Sequence, residues 1–484
     1  MAVIDVGSNS VRLVIFGDSL RAPLTMLNER AFCALGQGMA RTGQLNPDGI
    51  EAAIATLKRF RWIAGATGVA RTIAFATAAV RDAADGQAFV KRVKRECDIR
   101  LTVLTGEEES RYAGMGVLFG TPDATGVVGD LGGSSLELAP IGNGEVGPGT
   151  TLSLGPLQFM DGDSQPERIR AATLEALDRI NWLPGATGQT LHVVGGTWRA
   201  VAKLDMSARQ YPLNVIQGYE MSADRAIALT RLIARQHPES LSGAEGIADR
   251  RLQVLPTASV VLETLVERLA PDRLHFSAHG VREGAYLDTL KPKQRRRDPL
   301  VAAAEAMALH EARFGVEVGQ EVFDWIAPLF PADDARSARL RMVACILSDV
   351  GWRAHPDYRA TQSFRRVLRA PLIGIGHPER VLLATAVMRR YSHKAGDEVL
   401  DEVRALVSPD DLKLAERIGA AIRLAHTLGG GAPGALAGIG LAMTDTALVL
   451  DVPLALQPVL GDAVETRLFR VARAFGVAHQ IRVH

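Results

Sequence analysis

The sequence predicts an α/β N-terminal half made of two similar lobes, followed by a mostly α-helical C-terminal region. Three observations predict this fold class. A hairpin-like motif occurs at residue 5 and again at residue 130, strand-like and helix-like segments alternate up to about residue 290, and apolar residues at helical spacing dominate from residue 300 onward. At roughly 150 residues per domain, the 484 residues are enough for about three domains.

The repeated motif is the most informative feature of the chain. Segments 5–13 (DVGSNSVRL) and 130–138 (DLGGSSLEL) share an Asp, an apolar residue, a Gly, two small or polar residues, a Ser, two further residues and a Leu. Each copy is attached to an apolar strand, 2–5 in the first and 126–131 in the second. We therefore expect two related lobes, each opening with a β-hairpin. The alternative is a coincidence between two turns, since turns are rich in Gly, Ser and Asp.

The remaining elements follow from apolar spacing. Strands are predicted in the first lobe at 2–5, 11–16, 72–76 and 101–104, and helices at 48–64, 86–97 and 107–119. The second lobe restarts with strands at 126–131 and 136–139, then has a strand–turn–helix unit across 191–204 and a closing helix at 280–287. Helices are predicted in the C-terminal region at 301–315, 319–329, 336–350, 378–391 and 411–427, then a strand at 447–452 and a helix near 463–475. The predicted domains are 1–120, 121–290, 300–425 and a small α+β appendage at 426–484.

Composition excludes several classes of protein. Hydrophobic residues at 47% and charged residues at 23% are ordinary globular values and exclude intrinsic disorder. A net charge of +1 and only 5% aromatic residues argue against a general nucleic-acid coat and against base-stacking platforms. Cys33, Cys97 and Cys345 fit no metal or redox spacing and are expected to be inert thiols. With no signal-peptide pattern and no long apolar run, we expect a cytoplasmic protein without a membrane span.

Three glycine-rich turns form candidate anion sites. Glycine lets the backbone approach an oxyanion closely, and successive N–H groups and Ser hydroxyls donate to it. The third turn precedes a helix, whose N-terminus favours an anion. The candidate phosphate-binding residues are Gly7, Ser8, Asn9, Ser10, Gly132, Gly133, Ser134, Ser135, Gly195, Gly196 and Thr197.

Acidic residues next to the two hairpin turns are candidate metal ligands. Asp5 and Asp130 end the strands that enter the turns, where carboxylates suit Mg²⁺ or its waters. Glu137 leaves the second turn seven residues after Asp130, so a shared metal is geometrically possible. The alternative for Glu137 is an exposed position in a hairpin.

A catalytic base must come from outside the turns. The helix start at 105–117 offers Glu107, Glu108 and Glu109, although adjacent acids at a helix start commonly just complement its dipole. Arg81 is a candidate phosphate fork. The basic stretch 291–297 is either a solvated linker or the rim of a polyanion site.

Seven ordered segments carry a family resemblance. They are 5–13 (DVGSNSVRL), 76–83 (ATAAVRDA), 106–117 (GEEESRYAGMGV), 129–138 (GDLGGSSLEL), 151–159 (TLSLGPLQF), 193–202 (VVGGTWRAVA) and 277–287 (SAHGVREGAYL). Together they resemble the exopolyphosphatase and guanosine pentaphosphate phosphohydrolase (Ppx/GppA) family. The resemblance implies two ribonuclease H-like lobes of the actin, hexokinase and Hsp70 fold group, with the active site in the cleft between them. Residues 300–484 more loosely resemble the helical C-terminal region of long members, which is related to HD-type phosphohydrolases.

The resemblance also implies roles for individual residues. Glu109 corresponds to the general base that orients or deprotonates the attacking water, and Arg81 to a phosphate-binding arginine. Asp130 and Glu137 correspond to the acids that serve Mg²⁺, or Mn²⁺, with Asp5 near the metal. The three glycine turns correspond to phosphate and nucleoside loops. A homodimer is expected from the long form.

Two departures from the family pattern bear on these expectations. The second turn reads GGSS where members often carry GGGS. The HD-like region has Ser348-Asp349 in place of a His-Asp pair, and its histidines at 310, 355, 377 and 393 are scattered. We therefore expect this region to be structural, as a dimer contact or a basic channel, rather than a working metal site.

The leading functional prediction is an exopolyphosphatase that releases orthophosphate from the end of inorganic polyphosphate. Cleavage of the 5′-terminal phosphate of guanosine pentaphosphate is the alternative within the class, since both substrates end in a phosphoanhydride. A kinase of the same fold group and a non-catalytic polyphosphate or nucleotide sensor are alternatives from other classes. The presence of Glu109, Asp130 and Glu137 together favours hydrolysis over a sensor.

Overall fold

The computed structural model describes residues 1–17, 20–160, 165–237, 240 and 246–484. The chain forms two compact units, Met1–Arg297 and Asp298–His484. In these described ranges no helix has the length and apolar character needed to cross a membrane. The three cysteines are buried and unpaired.

The first sheet of the N-terminal unit has five strands in the order β3-β2-β1-β4-β5. They are β1 (Ala2–Val6), β2 (Ser10–Phe16), β3 (Thr25–Phe32), β4 (Thr72–Ala76) and β5 (Thr102–Val103). The helices of this part are α1 (Met39–Thr42), α2 (Pro47–Ala66), α3 (Ala78–Asp82), α4 (Gly86–Cys97) and α5 (Gly106–Gly120). An apolar core that includes Leu57 and Phe60 of α2 and Phe89 of α4 covers the sheet.

The second sheet has the order β11-β12-β10-β6-β7-β8, with β9 also paired to β7. Its strands are β6 (Gly126–Leu131), β7 (Leu136–Gly142), β8 (Glu145–Val146), β9 (Thr150–Leu152), β10 (Leu191–Val194), β11 (Tyr219–Ser222) and β12 (Arg273–Phe276). The helices are α6 (Pro166–Asp178), α7 (Trp198–Ala208), α8 (Ala223–Ala234), α9 (Asp249–Leu252), α10 (Leu255–Leu269), α11 (Val281–Asp288) and α12 (Pro292–Arg295).

The two sheets repeat one topology, as the duplicated motif predicts. In the first, β1 pairs antiparallel with β2 and parallel with β4. In the second, β6 pairs antiparallel with β7 and parallel with β10 in the same way. The sequence β9-β7-β6-β10-β12 therefore matches β3-β2-β1-β4-β5. This confirms the predicted α/β half with two ribonuclease H-like lobes.

Glycines let two helices next to the site pack closely together. Helix α5 packs on the second sheet and against α11. A Cβ on Gly116 would lie 2.2 Å from the carbonyl oxygen of Gly280, and one on Gly284 would lie 1.9 Å from that of Tyr112. Because only glycine permits so close a backbone approach, these positions fix how deeply the two helices interlock.

The C-terminal unit is mostly helical, as predicted. Its helices are α13 (Pro299–Glu311), α14 (Glu317–Ile326), α15 (Ala335–Ile346), α16 (Arg359–Arg369), α17 (His377–Tyr391), α18 (Asp397–Asp401), α19 (Pro409–Gly429) and α20 (Asp462–Phe475). A small sheet of β13 (Gly440–Met443), β14 (Ala447–Val452) and β15 (Ala478–Val483) has the order β13-β14-β15. Helix α20 packs against α19, β14 and β15, so the predicted C-terminal appendage continues the helical core.

Candidate active site

The two hairpin turns are closed by the same type of backbone hydrogen bond. The amide of Gly7 donates to the carbonyl oxygen of Ser10 at 3.1 Å, and the amide of Gly132 donates to that of Ser135 at 2.9 Å. The turns also touch each other, because the Ser134 hydroxyl donates to the Ser8 hydroxyl at 2.8 Å. The motif that repeats in sequence therefore forms two equivalent turns that meet between the lobes.

A cavity of about 570 Å³ opens at these turns. This cavity is lined by the site residues that were predicted from the sequence, including the third turn, Gly195–Thr197, with two exceptions. Ser134 is held against the first turn behind the surface of the cavity, and Arg81 lies behind Glu109. The basic stretch 291–297 is not part of the lining; within it, Arg295 donates to the carbonyl oxygen of Leu290 at 2.8 Å.

The three adjacent glutamates at the start of helix α5 lie in different environments. Thr105 and Glu108 form a capping box, with the Thr105 amide donating to Glu108 at 2.8 Å, so Glu108 completes the helix start. Glu107 is exposed, whereas Glu109 is 5% exposed and lines the cavity. Arg81 on α3 donates to Glu109 Oε2 at 2.8 Å. Of the run, Glu109 is therefore the residue available for chemistry in the cleft.

Burial sets the protonation of the carboxyl groups. It raises the pKa of Glu109 to about 7, an effect that Arg81 opposes and that the carboxylates of Asp130 and Asp5 reinforce. Burial also raises the pKa of Asp130 to about 6, against the charges of Arg199 and Arg282. The pKa of Glu137 is raised well above its ordinary value by burial, then by Glu109 and Asp130. A carboxyl with a pKa near neutrality is suited to accept a proton from water.

Strand register pairs charged residues beside each turn. Asp130 lies directly opposite Glu137 across β6 and β7, so both side chains are on one face of the sheet. In the first hairpin Asp5 lies opposite Arg12, and Asp5 accepts from Arg282 Nη1 at 2.7 Å.

The carboxylates next to the second turn are compatible with Mg²⁺. Within the described ranges no group of three or more His, Cys, Asp or Glu side chains is arranged to hold a metal. Mg²⁺ is, however, usually bound by only one or two carboxylates, with phosphate oxygens and waters as its other ligands. Glu137 Oε1 is buried and has no hydrogen-bond partner in the described protein. The Asp130–Glu137 pair therefore fits this ion, whereas Asp5 is engaged by Arg282.

The arginines of the cavity were not predicted from the sequence. Six of them line it: Arg12, Arg30, Arg199, Arg250, Arg251 and Arg282. Arg30 donates to the Ser10 hydroxyl at 3.2 Å, and the guanidinium of Arg250 lies 4.0 Å from the centre of the Phe32 ring. Arg12 had a usable signal, because it follows Asp5 at the same spacing by which Glu137 follows Asp130. Arg199 and Arg282 lie within two of the segments that carry the family resemblance, whereas Arg30, Arg250 and Arg251 lie outside all of them and reach the cavity only in the fold.

The HD-like position in the C-terminal unit is occupied by ion pairs. Arg313 Nε donates to Asp349 Oδ2 at 2.7 Å, and Arg390 Nη2 donates to Oδ1 at 3.3 Å. Ser348 is hydrogen-bonded to His426 at 3.0 Å. Burial and the charges of Arg390 and Arg313 hold the pKa of His426 well below its ordinary value. Guanidinium groups thus surround the acidic residue that a metal site would use.

Two ribonuclease H-like lobes with glycine- and serine-rich turns facing one cleft define a protein of the actin, hexokinase and Hsp70 fold group. Residues 14–293 match the model of the Ppx/GppA phosphatase family, and residues 300–481 match that of the exopolyphosphatase C-terminal domain. The chain belongs to the Ppx/GppA phosphatase family.

Relatives and solved structures agree with this membership. Exopolyphosphatase 1 of Mycobacterium tuberculosis is 27% identical over 304 residues, which cover 60% of this chain and 88% of the relative. The crystal structure of the Aquifex aeolicus family member is 28% identical, with a TM-score of 0.51 over 59% of this chain and 95% of that one. An exopolyphosphatase from Cytophaga hutchinsonii, 23% identical, has the same fold with a TM-score of 0.55 over 60% of this chain and 98% of that one.

Proposed function

We propose that this chain is an exopolyphosphatase that hydrolyses the terminal phosphoanhydride of inorganic polyphosphate and releases orthophosphate. The observation that carries the proposal is the position of Glu109, a buried carboxyl with a pKa of about 7, at the cavity. The walls of this cavity are formed by the two glycine- and serine-rich hairpin turns and by six arginines. Hydrolysis of a phosphoanhydride needs a positioned water and neutralisation of charge rather than covalent chemistry. Glu109 supports the first requirement, as a carboxylate that can orient a water, and the six arginines support the second.

Each part of the site has a role in this reaction. Glu109 accepts the proton of the attacking water, and Arg81 holds the carboxylate in place through their 2.8 Å hydrogen bond. Amides of the two hairpin turns and their hydroxyls donate to the oxygens of the terminal phosphoryl group. Bound Mg²⁺ or Mn²⁺, for which Asp130 and Glu137 are the ligands, would offset negative charge on that group.

The lining of the cavity favours a linear phosphate chain over a nucleotide. Among the described residues Phe32 is the only aromatic side chain in the lining, and Arg250 covers its ring. Arg251 lies against the third turn, where a Cβ on Gly196 would be 2.8 Å from Arg251 Nη2. Arginine walls recognise phosphates along a chain, and the described lining holds no aromatic ring free of an arginine on which a purine base could stack.

The test is phosphate release from long-chain polyphosphate with Mg²⁺, using wild type, Glu109→Gln and the exposed neighbour Glu107→Gln as matched control. Loss of a general base lowers the rate by about 100-fold or more, so Glu109→Gln is expected to fall by that factor and Glu107→Gln to stay near wild type. Chelation followed by re-addition of Mg²⁺ or Mn²⁺ tests the metal.

Other results would redirect the assignment. Cleavage of guanosine pentaphosphate without cleavage of polyphosphate would move it to the nucleotide. Binding of both compounds with no release would favour a sensor, and transfer of phosphate to an added acceptor would favour a kinase.

A further inference from the structure

Ser134 is the residue at which the second hairpin turn departs from the family pattern, since the turn reads GGSS where members often carry GGGS. Its side chain is 3% exposed and lies outside the cavity lining. The departure therefore adds one hydroxyl group, and that hydroxyl lies behind the surface that a substrate would touch. Any effect of Ser134 on the reaction must pass through a neighbouring group.

The neighbouring group is the hydroxyl of Ser8 in the first turn. Ser134 Oγ lies 2.8 Å from Ser8 Oγ, and Ser8 lines the cavity. The Gly36 amide donates to the carbonyl oxygen of Ser8 at 2.8 Å. In the second turn, Gln158 Nε2 donates to the carbonyl oxygen of Ser134 at 3.2 Å. A Cβ on Gly36 would lie 3.1 Å from Ser8 Cβ and 3.4 Å from Ser134 Oγ, so the two hydroxyls are held in a closely packed space.

The need to satisfy buried donors decides which of the two hydroxyls donates to the other. Each serine hydroxyl has one proton and two lone pairs. In the described part of the chain, Ser8 Oγ is the only hydrogen-bond partner of the Ser134 hydroxyl. If Ser8 were the donor, the proton of Ser134 would be buried without an acceptor, which is costly. Ser134 is therefore the donor, and the proton of Ser8 is left for an acceptor in the cavity.

We propose that Ser134 is a positioning residue that acts through Ser8, a proposal that rests on the proposed function of the cleft. By donating to Ser8, Ser134 keeps the Ser8 hydroxyl oriented as a donor towards an oxygen of the terminal phosphoryl group. The same hydrogen bond joins the two turns before a substrate is bound. A donor that is already oriented needs no reorganisation when the phosphoryl group arrives, so both binding and hydrolysis are favoured.

The test is a double-mutant cycle in the full-length protein, with wild type, Ser134→Ala, Ser8→Ala and the double variant. Phosphate release from polyphosphate with Mg²⁺ gives kcat and KM, and isothermal titration calorimetry in EDTA gives the Kd of tripolyphosphate. Ser134→Ala is expected to lower kcat/KM and to raise Kd by about three- to tenfold, the usual effect of one neutral hydrogen bond. In the Ser8→Ala background the same substitution should change both values by less than about twofold, because the hydroxyl that Ser134 orients is absent. Ser207→Ala, at an exposed serine of α7, is the matched control and should behave as wild type does.

The outcomes separate this proposal from the function on which it rests. Equal losses from Ser134→Ala in both backgrounds would overturn it, because Ser134 would then act on the fold and not through Ser8. Wild-type values in Ser134→Ala would overturn it as well. If wild type binds tripolyphosphate but releases no phosphate, the proposed activity fails alone, and the cycle in Kd still tests Ser134. If wild type neither binds nor releases, both proposals fail. Thermal unfolding checks that each variant is folded, and Ser134→Gly, which has the GGGS pattern, replaces Ser134→Ala if that variant is not.

Discussion

Replacing Arg81 by Gln separates two roles that the residue could have. From the sequence it is a phosphate-binding arginine, whereas the structure places it against Glu109 and outside the cavity lining. If it positions Glu109, its removal takes away a cation that favours the carboxylate, and the pKa of Glu109 must rise from about 7.

The size of the effect follows from the hydrogen bond. A hydrogen bond to a charged group is worth about 1.5–3 kcal/mol, and about 1.4 kcal/mol corresponds to one pKa unit. The pKa of Glu109 should therefore rise by about 1–2 units, and the ionised fraction at pH 7 should fall from about one half to between about one tenth and one hundredth. We expect kcat/KM for polyphosphate at pH 7 to fall about 5- to 50-fold and to recover towards wild type near pH 9.5.

The assay is phosphate release from polyphosphate between pH 5.5 and 9.5 for wild type, Arg81→Gln and Arg95→Gln, an exposed arginine of the same lobe. The acidic limb of the profile should move to higher pH in Arg81→Gln alone. An unmoved limb together with a large increase in KM at every pH would refute the positioning role and return Arg81 to direct phosphate binding.

Three further predictions concern stability, measured by urea or thermal unfolding of metal-free protein. The pKa of the Glu109 carboxyl is about 7 in the folded protein and 4.5 in the unfolded chain. The bound proton therefore stabilises the folded protein at low pH, and this stabilisation is lost as the pH rises from 4.5 to about 7. Glu109→Gln is therefore expected to stabilise the protein by about 1–3 kcal/mol at pH 8 and little at pH 5; equal effects at both would contradict the reasoning. Asp349→Asn weakens a largely buried ion-pair cluster and should lower the free energy of unfolding by about 3 kcal/mol. The control Asp401→Asn, at an exposed ion pair, should leave it unchanged. An equally small change in both variants would show that the cluster contributes no stability. Gly195→Ala should lower the melting temperature, because φ is 97° and the new Cβ would lie 2.4 Å from the Leu131 carbonyl oxygen; an unchanged melting temperature would mean that the turn relaxes freely.

Local patterns were enough to predict the two-lobed architecture, although β3, β11, β12, α6, α8 and α10 were not among the predicted elements. The duplicated hairpin predicts two lobes because each copy carries its own turn chemistry, and both copies form the same closure in the structure. Apolar residues at helical spacing predict the helical C-terminal unit because that pattern is also contained within each segment. Helix α16 (Arg359–Arg369) was not predicted, since its sequence is dominated by polar residues and only a narrow apolar stripe faces the core.

The site was predictable where one segment carries the signal and not where several converge. The capping box selects Glu109 as the inward-facing glutamate only once the helix start is placed at Thr105. The arginine walls were missed because β2, β3, α7, α9 and α11 contribute them from distant parts of the chain. A sequence also does not tell whether a guanidinium such as that of Arg81 faces a phosphate or a carboxylate. The assignments of metal ligands and phosphate contacts remain predictions.

The two hairpins share a backbone but carry opposite charges at one equivalent position. Across from its aspartate, the first hairpin places Arg12 and the second places Glu137. Duplication of the hairpin has therefore produced two turns of one shape but different charge, with Arg12 at a position of the first hairpin where the second has Glu137. An anion held between the two hairpins would therefore meet a different charge on each side. The two sides of the cleft therefore differ in charge at this position, although the hairpins that build them are copies of each other.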